Sequence, residues 1–113
     1  MKLLRNMFLI LLSLIIIAGC THKTPYTNRS QMIFMSPKDE LALGEKSYQE
    51  ALSDAKVITE TKDANRVKTI GSKIAKVANR SDFNWEFNLV QNDALNAFCL
   101  PGGKVVVYTG ILK

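Results

Sequence analysis

The sequence predicts an α+β domain, with two amphipathic helices on one face of a small, largely antiparallel three-stranded sheet. Apolar residues recur at three- and four-residue spacing over 37–55 and again over 63–79, which is the period of a helix with one buried side. Apolar and polar residues alternate over 83–90, which is typical of a strand, and two further β-prone runs end the sequence. About seventy-five residues of this kind are enough for one small core.

The first nineteen residues do not belong to this domain. Lys2 and Arg5 are followed by a twelve-residue apolar run over 7–18, which is too short to span a bilayer comfortably. We therefore expect 1–19 to be a secretory signal peptide. Small residues directly before Cys20 match a lipobox, which resembles bacterial lipoprotein processing with cleavage before Cys20 and acylation of its thiol and new amino group. An ordinary signal peptide or an uncleaved anchor is the alternative.

Residues 20–35 are predicted to be a lipid-anchored tether in the bacterial cell envelope. Several acyl chains, at about 0.8 kcal/mol per buried methylene, would hold the chain stably on a membrane. Thr21 rather than Asp follows Cys20, which by resemblance to Gram-negative sorting favours the periplasmic face of the outer membrane. The stretch 21–35 is polar and is expected to be irregular. Its apolar end, Met32 to Met35, is expected to dock on the domain, form a short strand or touch the membrane.

The domain proper is predicted to run from 36 to 113 and to begin with a helix. Ser36 is an N-cap residue and Pro37 suits the first helical position, with Asp39 and Glu40 close behind. Gly44 lies on the apolar side of this helix, where it costs about 1 kcal/mol relative to alanine. Its position therefore predicts close packing against another element. The full apolar side consists of Leu41, Gly44, Tyr48, Ala51, Leu52 and Ala55.

A connector over 57–61 leads to a second helix with a strongly basic surface. Its predicted buried stripe consists of Val67, Ile70, Ile74 and Val77. Its basic residues are Lys62, Arg66, Lys68, Lys73 and Lys76. The whole chain carries a net charge of +5, and without Lys2 and Arg5 the remainder carries +3. The basic face resembles a nucleic-acid or lipid-headgroup patch, but solvated lysines on a helix are the commoner explanation. Since the surplus of charge is ordinary, we interpret the lysines as solvated and expect no nucleic-acid partner.

The end of the sequence is predicted to form a strand followed by a β-hairpin. The strand covers 83–90 and turns its aromatic side toward the helices. In the hairpin, 96–99 and 104–109 are joined by a type II-like turn, because Pro101 presets φ and Gly102 tolerates positive φ. Thr109 is expected to cap a helix that begins at Gly110.

The closing run 96–112, NAFCLPGGKVVVYTGIL, resembles a known family. It is similar to the segment before the catalytic helix in the zinc metallopeptidases that include the HtpX-like heat-shock proteases, the CAAX prenyl endopeptidase and bacterial lipoprotein metalloproteases. ELALGEK, from Glu40, resembles the first helix of that family, so the resemblance covers about two-thirds of the chain. It implies a membrane-anchored zinc metalloendopeptidase of envelope protein quality control. It also implies an incomplete metallopeptidase domain, truncated before the helix that bears His-Glu-x-x-His.

The residues that zinc chemistry of this type needs are absent from the sequence. The enzyme requires two histidines on successive turns of one helix and a glutamate between them. The only histidine is His22, which we interpret as a solvated tether residue. We therefore predict no catalytic residue, no metal ligand and no proteolysis by the chain alone. Glu45 and Glu50 are spare carboxylates without a nucleophile or metal to serve. Cys99 is expected to be a small buried thiol, and a Cys99–His22 dyad would require the tether to fold back.

A binding element remains. The resemblance implies that Asn96, Ala97 and Phe98 lie along the active-site cleft and pair with an extended substrate backbone. The alternative is a sheet edge that further sequence completes. Two functional hypotheses follow: the N-terminal part of a lipoprotein zinc endopeptidase, or a non-catalytic lipoprotein interaction module. The second would use the sheet edge or Met32 to Met35. The expected partners are the membrane, through the lipid anchor, and unfolded or extended polypeptide.

Overall fold

The computed structural model describes residues 1–17, 21–24 and 26–113, and the chain divides into two compact units, Met1–Ser36 and Pro37–Lys113. In the first unit, α1 covers Lys2–Ile17. None of the helices in the described ranges has the length and apolar character needed to cross a membrane. The predicted lipidation site, Cys20, lies outside the described residues.

The segment that was expected to be irregular contains a short β-hairpin. Strands β1 (Thr21–Lys23) and β2 (Ser30–Met32) pair antiparallel, with His22 opposite Gln31. A main-chain hydrogen bond closes the loop between the strands: the Thr24 N–H donates to the Arg29 carbonyl at 2.9 Å. The prediction of an irregular tether is therefore wrong over these strands. His22 is exposed, as expected.

The second unit contains the two predicted helices. Helix α2 covers Pro37–Ser53 and helix α3 covers Lys62–Ala78. Helix α3 begins after Thr61, whose hydroxyl accepts a hydrogen bond from the Ala64 N–H at 3.1 Å. It ends at Asn79, which adopts a left-handed conformation with φ of 49°. Both helices are confirmed to within about two residues.

The sheet has four strands rather than three, and its central pair is parallel. The strands are β3 (Val57–Ile58), β4 (Glu86–Val90), β5 (Ala97–Leu100) and β6 (Lys104–Tyr108). Their order is β3-β4-β6-β5, with β5 and β6 forming the predicted antiparallel hairpin. Strand β5 occupies one edge of β6, so β4 pairs with the other edge. Strands β4 and β6 run parallel. Two of the three pairings are antiparallel, so the sheet is largely antiparallel as predicted, but the predicted count of three strands was wrong. Part of the predicted connector is strand β3.

The two helices lie on opposite faces of this sheet, not on one face. Successive residues of a strand point to opposite sides. On β4, Leu89 packs with Ala64 and Val67 of α3, whereas Val90 packs with Tyr48 of α2. The sheet is therefore the middle layer of three, and each of its faces contributes to a separate small core.

Helix α3 turns a different side to the sheet from the one that the sequence pattern predicted. Its buried residues are Ala64, Val67 and Gly71, and the Phe87 ring occupies the space that a Cβ on Gly71 would fill. The close approach leaves room only for small residues. Ile70, Ile74 and Val77 are instead 51%, 59% and 76% exposed. Of the predicted buried stripe, only Val67 is buried.

The chain ends in a short 3₁₀ helix, Thr109–Leu112, whose N-cap residue is Tyr108. Thr109 does not cap it. The Thr109 hydroxyl donates to the Asn92 carbonyl at 3.0 Å and accepts from the Asn92 N–H at 3.1 Å. The capping prediction was wrong because this hydroxyl ties the loop after β4 to the end of β6.

Candidate functional site

Strand β5 is an outer strand of the described sheet and is hydrogen-bonded to β6 on one side. The Tyr108 N–H donates to the Asn96 carbonyl at 3.0 Å. In an antiparallel ladder, alternate residues direct their main-chain groups to the partner strand. Phe98 and Leu100 therefore bond toward β6, while the N–H and C=O groups of Ala97 and Cys99 point away from it. This outward row can accept another extended strand.

The three residues that the resemblance implicated occupy different positions relative to this row. Asn96 precedes β5, its carbonyl is used by Tyr108, and its N–H donates to the Ala94 carbonyl at 3.0 Å. The Phe98 ring is half-buried on the α2 face and meets the Tyr108 ring edge-on at a centroid distance of 6.0 Å. Only Ala97 presents outward main-chain groups. Cys99 shares that property, and the two-residue period of a strand could have revealed it from the sequence.

The Cys99 side chain is exposed rather than buried. It lies on the α3 face of β5, because its neighbours Phe98 and Leu100 point to the α2 core. Its S–H donates to the Leu100 carbonyl at 3.5 Å, and although the residue is exposed, desolvation by the neighbouring protein atoms raises the pKa of the thiol. Near neutral pH the group is therefore a protonated thiol and not a nucleophile.

Helix α2 holds the turn that joins β5 to β6. Gly102 and Gly103 have φ values of 85° and 79°, which glycine adopts readily. Gly44 of α2 lies against the Pro101 carbonyl, and a Cβ at Gly44 would overlap that oxygen. The close packing predicted for Gly44 is confirmed. This contact positions the end of the outer strand against a rigid helix.

The buried ammonium group of Lys104 links β6 to α2 and β4 through ion pairs. Lys104 is 2% exposed, and its Nζ forms ion pairs with Glu86 of β4 and, at 2.9 Å, with Oε2 of Glu45 on α2. The hydrogen bond from Lys104 lowers the pKa of Glu45. Burial acts to lower the pKa of Lys104, but its bonds to Glu86 and Glu45 outweigh burial and raise it.

The two carboxylates that the sequence left without a role, Glu45 and Glu50, both lie near positively charged side chains. Glu45 is a charged partner of Lys104 and also accepts a hydrogen bond from Gln49 at 2.8 Å, so it is not poised as a base. Glu50 lies on the surface, 3.9 Å from the Lys46 ammonium. Beside the cluster, the Asn88 amide donates to the Tyr48 hydroxyl at 2.7 Å.

A cavity of about 370 Å³ lies beside β5 on the α2 face. Phe98, Val106 and Tyr108 line it from the sheet, and Asp54 and Lys56 line it from the segment that follows α2. It adjoins the carboxyl ends of the parallel strands β4 and β6, which is where open α/β sheets commonly bind ligands. A strand added to β5 would direct the side chain opposite Phe98 toward this face.

The chain does not fit a zinc site built on a histidine pair. It has one histidine, and within the described ranges no three His, Cys, Asp or Glu side chains are grouped as metal ligands. His22 belongs to the first unit and Cys99 to the second. We therefore assign no zinc-dependent step to these residues.

Comparison with known proteins finds similarity to metallopeptidases. The model of peptidase family M48 matches residues 61–113, which include α3 and the whole of β4 to β6. Mitochondrial metalloendopeptidase OMA1 of Schizosaccharomyces pombe is 32% identical over 91 residues, which are 78% of this chain and 27% of the relative. The Bos taurus metalloendopeptidase OMA1 is 31% identical over 98 residues, 80% of this chain and 18% of the relative. The beta-barrel assembly-enhancing protease of Yersinia pestis is 28% identical over 79 residues, which are 70% of this chain and 16% of the relative.

These matches support the M48 metallopeptidase family for this chain. The metallopeptidase resemblance of the closing hairpin is thereby confirmed at the level of the family. The chain spans about a quarter or less of the length of these curated relatives.

Proposed function

We propose that the chain provides the polypeptide-binding part of a membrane-anchored zinc metalloendopeptidase of the HtpX-like type, acting in envelope protein quality control. The outward main-chain row of Ala97 and Cys99 carries this proposal. It lies on an outer strand within the residues that match the M48 model. An extended polypeptide would add to β5 as a further strand, gaining main-chain hydrogen bonds that do not depend on its sequence.

Binding without hydrolysis is the activity proposed for these 113 residues alone. Their single histidine leaves them without the pair that would hold zinc and activate water. A non-catalytic interaction module is the second candidate, and the same observation favours it. In that case β5 would hold a folded envelope partner rather than an unfolded chain.

Amide hydrogen exchange of the full chain in detergent micelles tests the binding site. The probe is an unfolded casein peptide, chosen because it has no fixed structure of its own. We expect the peptide to slow exchange at Ala97 and Cys99, whose N–H groups point outward, and to leave Phe98 unchanged because its N–H already bonds within the sheet. Slowed exchange that spares Ala97 and Cys99 would contradict the proposed site.

A pair of substitutions at one position provides the matched control. Cys99→Pro removes an outward N–H, and proline is tolerated in an edge strand where the N–H points away from the sheet. Cys99→Ala keeps that N–H and removes only the thiol. We expect the proline variant to lose peptide binding and the alanine variant to keep it. Equal binding by the two variants would show that the outward main chain is not the contact.

Lipid anchoring at Cys20 is a separate proposal, supported by the order of basic residues, apolar run and small residues before Cys20. Growth of the producing bacterium with radiolabelled palmitate should label the chain. Cys20→Ser should remove the label, whereas Cys99→Ser should keep it. Label retained by Cys20→Ser would refute acylation at this residue.

A further inference from the structure

Helix α3 exposes an apolar ridge, which we define as Ile70, Ile74 and Val77. These residues follow one another at four- and three-residue spacing, so they form one line along the helix. They are 51%, 59% and 76% exposed, although their neighbours Val67 and Gly71 are buried against the sheet. The ridge therefore lies beside the contact with the sheet and not within it.

A line of basic side chains runs along the outer flank of this ridge. Lys62, Arg66 and Lys73 lie within about 90° of its centre, since each residue advances about 100° around a helix. All three are exposed. The Arg66 guanidinium lies 3.6 Å from the Asp63 carboxylate, and both side chains remain about half exposed. The apolar and basic lines thus form one continuous amphipathic surface.

The charge of α3 distinguishes it from α2, which covers the opposite face of the sheet. Helix α3 contains five basic residues and one acidic residue, a net charge of +4. Helix α2 contains two basic and four acidic residues, a net charge of −2, although it also exposes an apolar side chain at Leu43. Only the α3 side therefore combines an exposed apolar ridge with a strong positive charge.

We propose that this surface of α3 docks on an anionic lipid bilayer, with the apolar ridge entering the headgroup boundary. A helix that lies in a membrane interface has this arrangement of apolar residues flanked by Lys and Arg. Each basic residue near an anionic surface strengthens binding by about fivefold, which corresponds to about 1 kcal/mol. A nucleic acid would engage the charges but would give the ridge no apolar environment.

The test uses the full chain reconstituted in lipid nanodiscs, so that α1 is present in every sample. Discs of phosphatidylcholine are compared with discs containing phosphatidylglycerol, each with and without a doxyl-labelled lipid. We expect the doxyl label to reduce the amide NMR signals of Ile70, Ile74 and Val77 by at least half in the anionic discs. Signals of Leu43 on α2 should keep their intensity, and the effect should be small in phosphatidylcholine.

Two double variants separate the contributions of charge and ridge. Arg66→Gln with Lys73→Gln should weaken docking by about 25-fold, at about fivefold for each charge. Ile70→Ser with Ile74→Ser should abolish the doxyl effect on α3. The matched controls on α2, Lys46→Gln and Leu43→Ser, should leave it unchanged. Unshifted signals of the buried residues Leu89 and Val106 would show that the fold is intact.

Several outcomes would overturn the proposal. One is an equal doxyl effect in neutral and anionic discs, and another is an equal effect on α2 and α3. A third is α3 broadening without any doxyl lipid, which would mean that the ridge is covered by protein. Docking that survives both double variants would also refute it.

Discussion

The buried Lys104 cluster predicts that removing the lysine destabilises the fold less than removing its two carboxylate partners. Lys104→Met keeps an unbranched side chain and leaves Glu45 and Glu86 without their cation. Their side chains are 47% and 39% exposed, so water can solvate them. We expect a loss of about 1–2 kcal/mol, the net value of hydrogen bonds to charged groups less the recovered cost of burying an ammonium.

Removing the carboxylates instead should cost more. The double variant Glu45→Ala with Glu86→Ala leaves an ammonium whose side chain is 3% exposed without a counter-charge. Breaking a buried pair in this way costs about 3–5 kcal/mol. We expect a loss of about 3 to 4.6 kcal/mol, because the ammonium can lose its proton instead, and neutralising a lysine of pKa about 10.4 at pH 7 costs about 4.6 kcal/mol. Adding Lys104→Met to this double variant should recover most of the loss.

Urea unfolding of the full chain in mild detergent measures these differences. The single tryptophan, Trp85, packs against Gly103 beside Lys104 and therefore reports on this region. The reasoning is refuted if the double alanine variant is as stable as Lys104→Met, or if adding Lys104→Met lowers its stability further.

The same cluster should make stability depend on acid. The pKa of Glu45 is lowered in the folded chain by its hydrogen bond to Lys104, so its contribution is present above the unfolded pKa of about 4.5. That contribution is lost as the pH falls through the lower folded value. The free energy of unfolding should therefore decrease below about pH 4.5, and the decrease should be smaller in Lys104→Met. An identical acid profile in the two proteins would contradict this origin.

Three further predictions concern packing, capping and chemistry. Gly44→Ala should destabilise the fold by about 1–3 kcal/mol in urea unfolding, because a Cβ would overlap the Pro101 carbonyl; a stabilised variant would show that the contact can open. Thr61→Ala should cost about 1 kcal/mol through loss of the bond from the Ala64 N–H, and Thr61→Ser should restore it. The purified full chain should not cleave casein with added zinc, and cleavage that a chelator abolishes would overturn the proposal of binding alone.

Local sequence signals predicted the elements that depend on local physics. Pro37 at the start of α2 marks a helix start without reference to the rest of the chain. Pro101 and Gly102 likewise indicate the turn of the β5–β6 hairpin, since φ preferences are local. The position of Gly44 even predicted a close approach, although not the partner it meets.

The sheet could not be predicted in the same way, because strand pairing joins residues that are distant in the sequence. Nothing local to 86–90 shows whether that strand meets β5 or β6, and the choice of β6 makes the central pair parallel. Val57 and Ile58 form too short a run to indicate a strand by themselves. They become one because their main chain lies beside Leu89 and Val90.

The candidate site shows the same division. The resemblance of 96–112 pointed to the strand that forms β5, but it emphasised Asn96 and Phe98, whose main-chain groups are used within the fold. The outward role of Ala97 and Cys99 depends on the register of β5 against β6. The exposure of the ridge on α3 could not be predicted from periodicity either. The smaller residues beside it, Ala64, Val67 and Gly71, are the ones that pack against the sheet.

The sequence by itself determined the family signature, the helices, the hairpin turn and the single histidine, since each depends on residue identity or on neighbours a few positions apart. Tertiary structure alone decided the strand order, the opposite placement of the helices and the side of α3 that is buried. The physical reason is that apolar side chains have no preferred partner until the backbone brings one within contact. At Gly71, closeness to Phe87 decided the packing, and the more hydrophobic isoleucines were left facing outward.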